Sequence, residues 1–363
     1  VRQATEGLAQ LIDSKGEEAK KRGVAIAYDS RHFSPEFAFE SAQVLAAHGI
    51  KSYVFESLRP TPELSFAVRH LHTFAGIMVT ASHNPAPFNG YKVYGEDGGQ
   101  MPPADADALT DYIRAIENPF TVQLADLEES KASGLIEVIG ENVDAEYLKE
   151  LRRYINQDLI NEYGRDMKIV YTPLHGTGEM LARRALAQAG FEAVQVVEAQ
   201  AVPDADFSTV KSPNPENQEA FALAEELGRK VDADVLVATD PDADRLGVEI
   251  RQPDGSYLNL SGNQIGAIIA KYILEAHKTA GTLPENAALA KSIVSTELVT
   301  KIAESYGAKM FNVLTGFKFI AEKNFKNLKK NTTTLTCSVS KKASVTLSNH
   351  SYVIKMPFKP FLS

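Results

Sequence analysis

Residues 75–85 read Ala-Gly-Ile-Met-Val-Thr-Ala-Ser-His-Asn-Pro, an apolar run followed by a polar turn. The run from Ala75 to Thr80 predicts a buried strand, and the residues after it predict a turn at its carboxyl end. Backbone N–H groups at such a turn can face an anion, and the hydroxyl of Ser82 lies beside the imidazole of His83. This pattern indicates a serine that accepts and releases a phosphoryl group, with an ordinary Ser-Asn-Pro turn as the alternative.

The sequence before this stretch alternates between helix and strand patterns. Arg31 follows the first strand and is placed to pair its guanidinium with a phosphate; a surface salt bridge is the alternative. The β-α-β-α-β order predicts an open α/β sheet, in which ligands bind at the carboxyl ends of the strands. The predicted helices are 1–22, 35–48 and one beginning at Thr61, and the predicted strands are 24–28 and 52–55.

A second apolar run leads into Asp240-Pro-Asp-Ala-Asp-Arg245. Carboxylate oxygens are the ligands that Mg²⁺ prefers, so Asp240, Asp242 and Asp244 predict a magnesium site with positions left open for water or phosphate. A calcium-binding EF-hand loop starting at Asp240 requires Gly at its sixth position and Glu at its twelfth, where this chain has Arg245 and Arg251. The sequence therefore favours a catalytic magnesium ion.

A glycine-rich loop, Pro173 to Gly178, resembles a dinucleotide-binding turn. Gly176 and Gly178 match the first two glycines of G-x-G-x-x-G, but Leu181 occupies the third position and no acidic residue follows at the expected place. We therefore reject a dinucleotide site. Further along, Asn214 predicts the N-cap of a helix, because a proline follows it at the first helical position.

The composition places the chain among globular proteins of two or three domains, with 363 residues and 44% hydrophobic side chains. No apolar stretch approaches the roughly 20 residues of a membrane-spanning helix, and the first residues lack the pattern of a signal peptide. The single cysteine, Cys337, fits a reducing compartment. We therefore expect a cytoplasmic protein with no membrane partner, and the formal net charge of -9 argues against nucleic-acid binding.

Five motifs together resemble the α-D-phosphohexomutase family, and within it the bacterial α-phosphoglucomutases that also handle related pentose phosphates. The resemblance covers residues 1 to 323, with the motifs in the family's order and spacing. The motifs are Tyr28-Asp-Ser-Arg31, Thr80-Ala-Ser-His-Asn-Pro85, Asn89-Gly-Tyr-Lys-Val-Tyr94, Asp240-Pro-Asp-Ala-Asp-Arg245 and Thr315-Gly-Phe-Lys318.

The resemblance implies an α/β protein with three consecutive α/β domains, mixed sheets of the phosphohexomutase type and no fourth domain. Domain I would cover residues 1–140, incomplete at its N-terminus and carrying the phosphoserine loop. Domain II would cover 141–280 with the metal loop, and an incomplete domain III would cover 281–323. Residues 117–142 have mixed charge and weak periodicity, which favours a connection between domains.

The resemblance also implies an isomerase, an intramolecular phosphotransferase that interconverts glucose 1-phosphate and glucose 6-phosphate through a phosphoserine enzyme and a bisphosphate. Glucose 1,6-bisphosphate would be the activator and intermediate, and we expect a monomer whose only partner is a small-molecule phosphosugar. One Mg²⁺ per chain would be bound by Ser82, Asp240, Asp242 and Asp244. The implied catalytic residues are Ser82, His83, Lys92 and Arg31. The implied substrate-binding residues are Arg245, Lys318, Thr315 and Gly316.

The residues alone leave other interpretations open. Lys92 is also consistent with a solvated strand lysine, and His83 with a histidine that only hydrogen-bonds the turn. A haloacid-dehalogenase-like phosphatase also places Asp-x-Asp after a strand, and in that case Asp240 would be phosphorylated instead of Ser82. A remnant that binds Mg²⁺ or a phosphosugar without catalysis is the other alternative.

Residues 324–363 differ in composition from the rest of the chain. They contain seven lysines and eleven serines and threonines, but no Asp, Glu or Gly. We expect this basic tail to be aberrant, out-of-frame sequence, with a disordered basic tail as the alternative, and we expect the chain to be shortened at both ends. Without a fourth domain to hold the remote phosphate, little or no mutase activity is expected.

Overall fold

The computed structural model describes residues 1–316 and 318–320, so the expectations for the basic tail lie outside the described residues. The chain forms two compact units. The first unit consists of residues 1–145 and 204–206, and the second of 146–203 and the described residues from 207 onward. None of the helices in the described ranges combines the length and apolar character needed to cross a bilayer.

The first unit has the predicted alternation of helices and strands. Its strands are β1 (Val24–Tyr28), β2 (Ser52–Phe55), β3 (Ala75–Val79), β4 (Tyr91–Gly95) and β5 (Ile136–Ile139). Its helices are α1 (Arg2–Asp13), α2 (Glu17–Arg22), α3 (Ser34–Ala47), α4 (Thr61–His70), α5 (Pro103–Arg114), α6 (Leu127–Ala132) and α7 (Glu141–Leu151), the last of which contains the boundary between the units; residues 119–121 form a 3₁₀ turn.

The five strands form one mixed sheet in the order β4-β3-β1-β2-β5. All neighbours are parallel except β4, which runs antiparallel to β3. β1 and β3 are buried along their whole length because apolar clusters cover both faces of the sheet. Tyr28 pairs with Val79, so the loops that follow these two strands begin side by side at one edge.

Two predictions for the first unit are wrong in detail. The helix predicted over 1–22 is interrupted, and Gly16, with a φ of 87°, lies between α1 and α2. The stretch 117–142 is not only a connection, because it contributes α6 and β5. β5 pairs with β2 and completes the first sheet.

The second unit contains a further five-stranded sheet and a two-stranded one. Its strands are β6 (Ile169–Thr172), β7 (Val194–Val196), β8 (Val235–Thr239), β9 (Leu246–Arg251), β10 (Tyr257–Asn259), β11 (Ala288–Ser292) and β12 (Lys309–Val313). Its helices are α8 (Gln157–Leu159), α9 (Gly178–Ala189), α10 (Glu198–Ala201), α11 (Ala222–Val231), α12 (Gly262–Thr279) and α13 (Leu298–Ser305), with 3₁₀ turns at 152–154 and 218–221 and a π-helical turn at 160–164.

The larger sheet has the order β10-β9-β8-β6-β7, in which β7, β6 and β8 are parallel while β9 and β10 form an antiparallel hairpin. β11 and β12 pair in parallel. The predicted α/β class with mixed sheets is therefore confirmed. The predicted N-cap at Asn214 is wrong: α11 begins at Ala222, and the Asn214 side chain accepts a hydrogen bond from the Glu216 N–H (3.1 Å) within a turn.

Glu249 is a fully buried carboxyl on β9. Its Oε1 accepts a hydrogen bond from Asn259 (3.1 Å), while its Oε2 is buried with no hydrogen-bond partner among the described residues. Burial raises the pKa of Glu249 to about 7, an effect that the Asn259 hydrogen bond only partly offsets. The folded protein therefore binds this proton more tightly than the unfolded chain does.

A pH-dependent loss of stability should follow from this raised pKa. As pH rises from about 4.5 to about 7, the contribution of Glu249 to the free energy of unfolding should fall, because the folded state must ionise a buried acid that the unfolded chain ionises easily. Replacing Glu249→Gln should remove a dependence on the order of 1–2 kcal/mol, measured by urea unfolding across that range.

The matched control for this prediction is Glu219→Gln, at an exposed position in the same unit. The control should retain the wild-type pH dependence. An unchanged dependence in the Glu249→Gln protein would contradict the assignment of the effect to this carboxyl.

Candidate active site

Ser82 lies in the loop after β3, at the carboxyl edge of the first sheet. Its φ of 53° places it in the left-handed region, which costs a non-glycine residue about 1 kcal/mol or more and requires support from its surroundings. The Ser82 N–H donates to Thr80 Oγ1 (2.8 Å), and Ser82 Oγ lies 3.2 Å from His83 Nδ1. The strand, the turn and the Ser82–His83 pair therefore lie where the sequence predicts them.

Asp29 supports this loop from the end of β1. Its side chain is fully buried, and its Oδ2 accepts a hydrogen bond from the Thr80 hydroxyl (2.6 Å). Its Oδ1 accepts hydrogen bonds from the Ser34 hydroxyl (2.9 Å) and the Arg31 N–H (3.0 Å). A buried carboxylate is stable when hydrogen-bonded in this way, and here the bonds tie the β3 loop to β1 and α3.

The Arg31 guanidinium binds backbone carbonyls of the Ser82 loop. It is only 2% exposed and its Nε lies 3.2 Å from Asp29 Oδ2, which excludes a surface salt bridge. Five planar donors let one guanidinium bind several acceptors at fixed angles, and here it binds carbonyls of a loop more than fifty positions away. The carbonyl oxygens that accept from its terminal nitrogens belong to Ser82 (2.6 Å), Asn84 (2.5 Å), Pro85 (3.0 Å) and Phe88 (2.8 Å).

Sequence reasoning singled out Arg31 but not the acid and hydroxyl that work with it. Asp29 and Thr80 belong to quoted motifs, yet no role was predicted for either. Their sequence signal is the Asp-x-Arg spacing directly after a strand together with a hydroxyl residue two positions before Ser82. The predicted contact of Arg31 with a phosphate stays a prediction.

The other predicted site residues lie as follows. Lys92 is on β4 opposite Met78 of β3 and is half-buried. Thr315 and Gly316 follow β12, and Lys318 Nζ lies 5.3 Å from the centre of the Phe319 ring. Their predicted roles in catalysis and substrate binding stay predictions.

The three aspartates after β8 converge as the sequence predicts. A turn closed by the Ala243 N–H donating to Asp240 O (2.8 Å), with Ala243 at a φ of 51°, bends the chain back on itself. One carboxylate oxygen from each of Asp240, Asp242 and Asp244 lies within 4.8 Å of the others. Asp240 and Asp242 are fully buried.

The charges of this metal loop, residues 240–245, are unbalanced. Burial, and then the negative charges of Asp242 and Asp244, raise the pKa of Asp240 well above its usual value, whereas Arg245 acts in the opposite direction. The Arg245 Nε lies 3.8 Å from Asp240 Oδ2 and from Asp244 Oδ1. One guanidinium beside three carboxylates leaves net negative charge, so a small divalent cation with oxygen ligands, such as Mg²⁺, fits this donor set.

Fold and site together define a class: an α/β protein with a supported serine loop and an acidic metal loop, each at the carboxyl end of an interior strand of its sheet. Family models described as phosphoglucomutase/phosphomannomutase α/β/α domains I, II and III match residues 1–120, 145–253 and 261–334. The chain therefore belongs to the phosphoglucomutase/phosphomannomutase family. The third match continues past Lys323, where the sequence predicts that the resemblance ends.

Relatives named phosphoglucomutase support this assignment. The chain is 43% identical over 299 residues to one from Staphylococcus epidermidis, covering 82% of this chain and 53% of the relative. It is 39% identical over 317 residues to one from Staphylococcus aureus, covering 87% and 55%. The chain thus spans about half the length of these relatives, and the family match does not favour the phosphatase alternative.

Two solved structures share the fold. One is a phosphoglucomutase/phosphomannomutase family protein from Burkholderia thailandensis, with a TM-score of 0.69, 20% identity, and coverage of 98% of this chain and 69% of that chain. The other is the open form of the exocytosis-sensitive phosphoprotein pp63/parafusin from Paramecium, with a TM-score of 0.70, 20% identity, and coverage of 96% and 64%.

Replacing Arg31→Lys should loosen the Ser82 loop. An ammonium group cannot reach four carbonyls in the planar fork of a guanidinium, so about 2–4 kcal/mol of stability should be lost and amide exchange in residues 82–88 should accelerate. Hydrogen exchange by mass spectrometry measures both effects. Arg153→Lys, at an exposed position paired with Glu150, is the control and should change neither. Unchanged exchange in residues 82–88 would contradict this role of Arg31.

Asp242→Asn should raise the stability of the metal-free protein and reduce the further stabilisation that Mg²⁺ gives. Without metal, the substitution should stabilise the protein, because it removes one of three repelling charges. With Mg²⁺ at about 100 times its dissociation constant, the wild type should gain about 2.7 kcal/mol and the variant much less, measured by thermal unfolding. Asp166→Asn, exposed in the same unit, is the control. An equal magnesium gain in wild type and Asp242→Asn would contradict the site.

Proposed function

We propose that this chain performs phosphoryl transfer between a hexose bisphosphate and Ser82, the central step of interconverting glucose 1-phosphate and glucose 6-phosphate. The observation that carries the proposal is the position of the Ser82 hydroxyl at the carboxyl end of β3. The loop that contains it is hydrogen-bonded to Asp29 and Arg31. Kinship with enzymes named phosphoglucomutase supports the choice of reaction. A phosphosugar substrate, a cytoplasmic location and a monomeric state belong to the same proposal.

In the forward transfer, Ser82 Oγ attacks a phosphoryl group of the bisphosphate. The bond from phosphorus to the sugar oxygen breaks while the bond to Oγ forms, and the proton of the serine hydroxyl must leave. His83 Nδ1, 3.2 Å from Oγ, is placed to accept that proton. The sugar oxygen gains a proton, for which Lys92 is the donor that the family resemblance proposes.

The metal loop would supply the neutralisation of negative charge that this transfer needs. Asp240, Asp242 and Asp244 would hold one Mg²⁺, which supplies neutralisation of the charge on the transferring phosphoryl oxygens. Arg245 lies beside two of these carboxylates and offers a guanidinium to phosphate oxygens. The phosphorylated Ser82 as the fourth metal ligand, and Lys318, Thr315 and Gly316 as sugar or phosphate contacts, complete the proposal.

The geometry of Asp240 argues against its acting as the phosphorylated residue of a phosphatase. Asp240 is fully buried, and its Oδ1 already accepts a hydrogen bond from the Arg245 N–H (3.0 Å). A nucleophile must instead reach an incoming phosphorus atom, and Ser82 is only half-buried. The transfer to the serine hydroxyl is therefore the reaction to test.

Incubation of the protein with Mg²⁺ and glucose 1,6-bisphosphate should leave phosphate on Ser82, detected by mass spectrometry of the peptide that contains it. The Ser82→Ala protein should carry no phosphate under the same conditions, and Ser133→Ala, at an exposed position of the same unit, should behave as the wild type. Phosphate retained in Ser82→Ala would identify a different nucleophile. Phosphosugar binding without any phosphoryl-enzyme would identify a non-catalytic binding protein.

A further inference from the structure

The glycine-rich loop of the second unit lies directly against the metal loop. We call residues 173–178, which connect β6 to α9, the supporting loop. The Thr177 N–H donates to the carbonyl oxygen of Pro241 (2.8 Å), and a Cβ added to Gly176 would lie 2.5 Å from Pro241 Cα. Pro241 stands between Asp240 and Asp242, so backbone touches backbone and only glycine fits at position 176.

A second close approach fixes the end of β8, the strand that leads into Asp240. A Cβ added to Gly178 would lie 2.4 Å from the Tyr171 hydroxyl and 2.7 Å from the Thr239 hydroxyl. These two hydroxyls are hydrogen-bonded to each other at 2.8 Å. The start of α9 therefore packs closely against Thr239, the residue that precedes Asp240.

The supporting loop has a backbone conformation that needs stabilisation. Leu174 and His175 both have positive φ, 48° and 63°, and neither is glycine. Two consecutive left-handed residues persist only where side-chain contacts hold them. The Leu174 side chain is fully buried, and the Leu174 N–H donates to Thr172 Oγ1 (3.1 Å).

The His175 ring supplies the remaining contacts. The residue is 2% exposed, its Nδ1 lies 2.9 Å from the Val202 carbonyl oxygen and its Nε2 lies 2.7 Å from Thr209 Oγ1. Because a carbonyl oxygen only accepts, Nδ1 donates the first of these bonds, and Nε2 of a neutral ring accepts the second from the Thr209 hydroxyl. The hydroxyl accepts in turn from Gln200 Nε2 (3.0 Å), and the His175 N–H donates to Gln200 O (2.9 Å).

We propose that His175 is a positioning residue for the metal loop. Its ring anchors the supporting loop to Val202 and Thr209 and holds it in the left-handed conformation. The supporting loop in turn fixes Pro241 and hence the spacing of Asp240 and Asp242. The proposal rests on the assignment of Mg²⁺ to the metal loop. The effect of His175 on the metal loop passes through the backbone contacts of Gly176 and Thr177 with Pro241. His175 is thus a positioning residue and not a ligand.

The test compares metal affinity with stability. In His175→Ala the anchor is lost, and Mg²⁺ alone, titrated calorimetrically, should bind about 10–100-fold more weakly, as is usual when support of metal ligands is removed. Val170→Ala, which empties part of the core on β6, is the matched control. It should lower the unfolding temperature comparably and leave the dissociation constant within about twofold.

Two further variants keep the test decisive. His175→Asn retains a donor near the position of Nδ1 and tolerates positive φ, so it should recover most of the lost affinity. Thr209→Val, at an exposed position, removes the partner of Nε2 even if His175→Ala does not fold, and it should weaken binding at least about threefold.

Equal magnesium affinity in Thr209→Val and wild type, or equal losses in His175→Ala and Val170→Ala, would overturn the positioning role while leaving the metal site intact. Absence of magnesium binding by the wild type would overturn the metal assignment and this proposal with it.

Discussion

The conformation of the Ser82 loop depends on the hydrogen bonds and the ion pair of the buried Asp29 carboxylate. An ionised carboxyl without water is stable only when hydrogen-bonded and paired, and Asp29 obtains both from Thr80, Ser34 and Arg31. Arg31 is stabilised in turn by Asp29, because this carboxylate lies 3.2 Å from its buried guanidinium and offsets its charge. Breaking a buried ion pair of this kind costs about 3–5 kcal/mol.

The metal loop differs from the Ser82 loop in its charge, because its carboxylates are in excess. Beside the Ser82 loop, the buried Asp29 carboxylate pairs with the buried Arg31 guanidinium, so opposite charges lie together within the protein. In the metal loop, Asp240, Asp242 and Asp244 outnumber Arg245, and the raised pKa of Asp240 reflects this excess of negative charge. Paired buried charges suit a loop that keeps one conformation, and a loop with excess negative charge suits a cation that binds from solution.

The sequence predicted the elements whose signals are local. β1, β3 and β8 are continuous apolar runs, and the polar residues after them form the Asp29–Arg31 pair, the Ser82 loop and the metal loop. The sequence prediction misses β5, Ile-Glu-Val-Ile, because this run of four residues belongs to the stretch 117–142 of mixed charge and weak periodicity. It pairs with β2, some eighty positions earlier. The carbonyls that bind Arg31 were missed for the same reason: they come from a distant loop whose conformation no local pattern records.

The backbone contact between Gly176 and Pro241 has a practical consequence for protein engineering. An acidic hexapeptide transplanted into another α/β scaffold would bring the carboxylates without the surface that sets their separation. A graft intended to capture a divalent ion should therefore move two segments together, the Asp-Pro-Asp-Ala-Asp-Arg turn and the supporting loop with its Leu-His-Gly-Thr-Gly sequence.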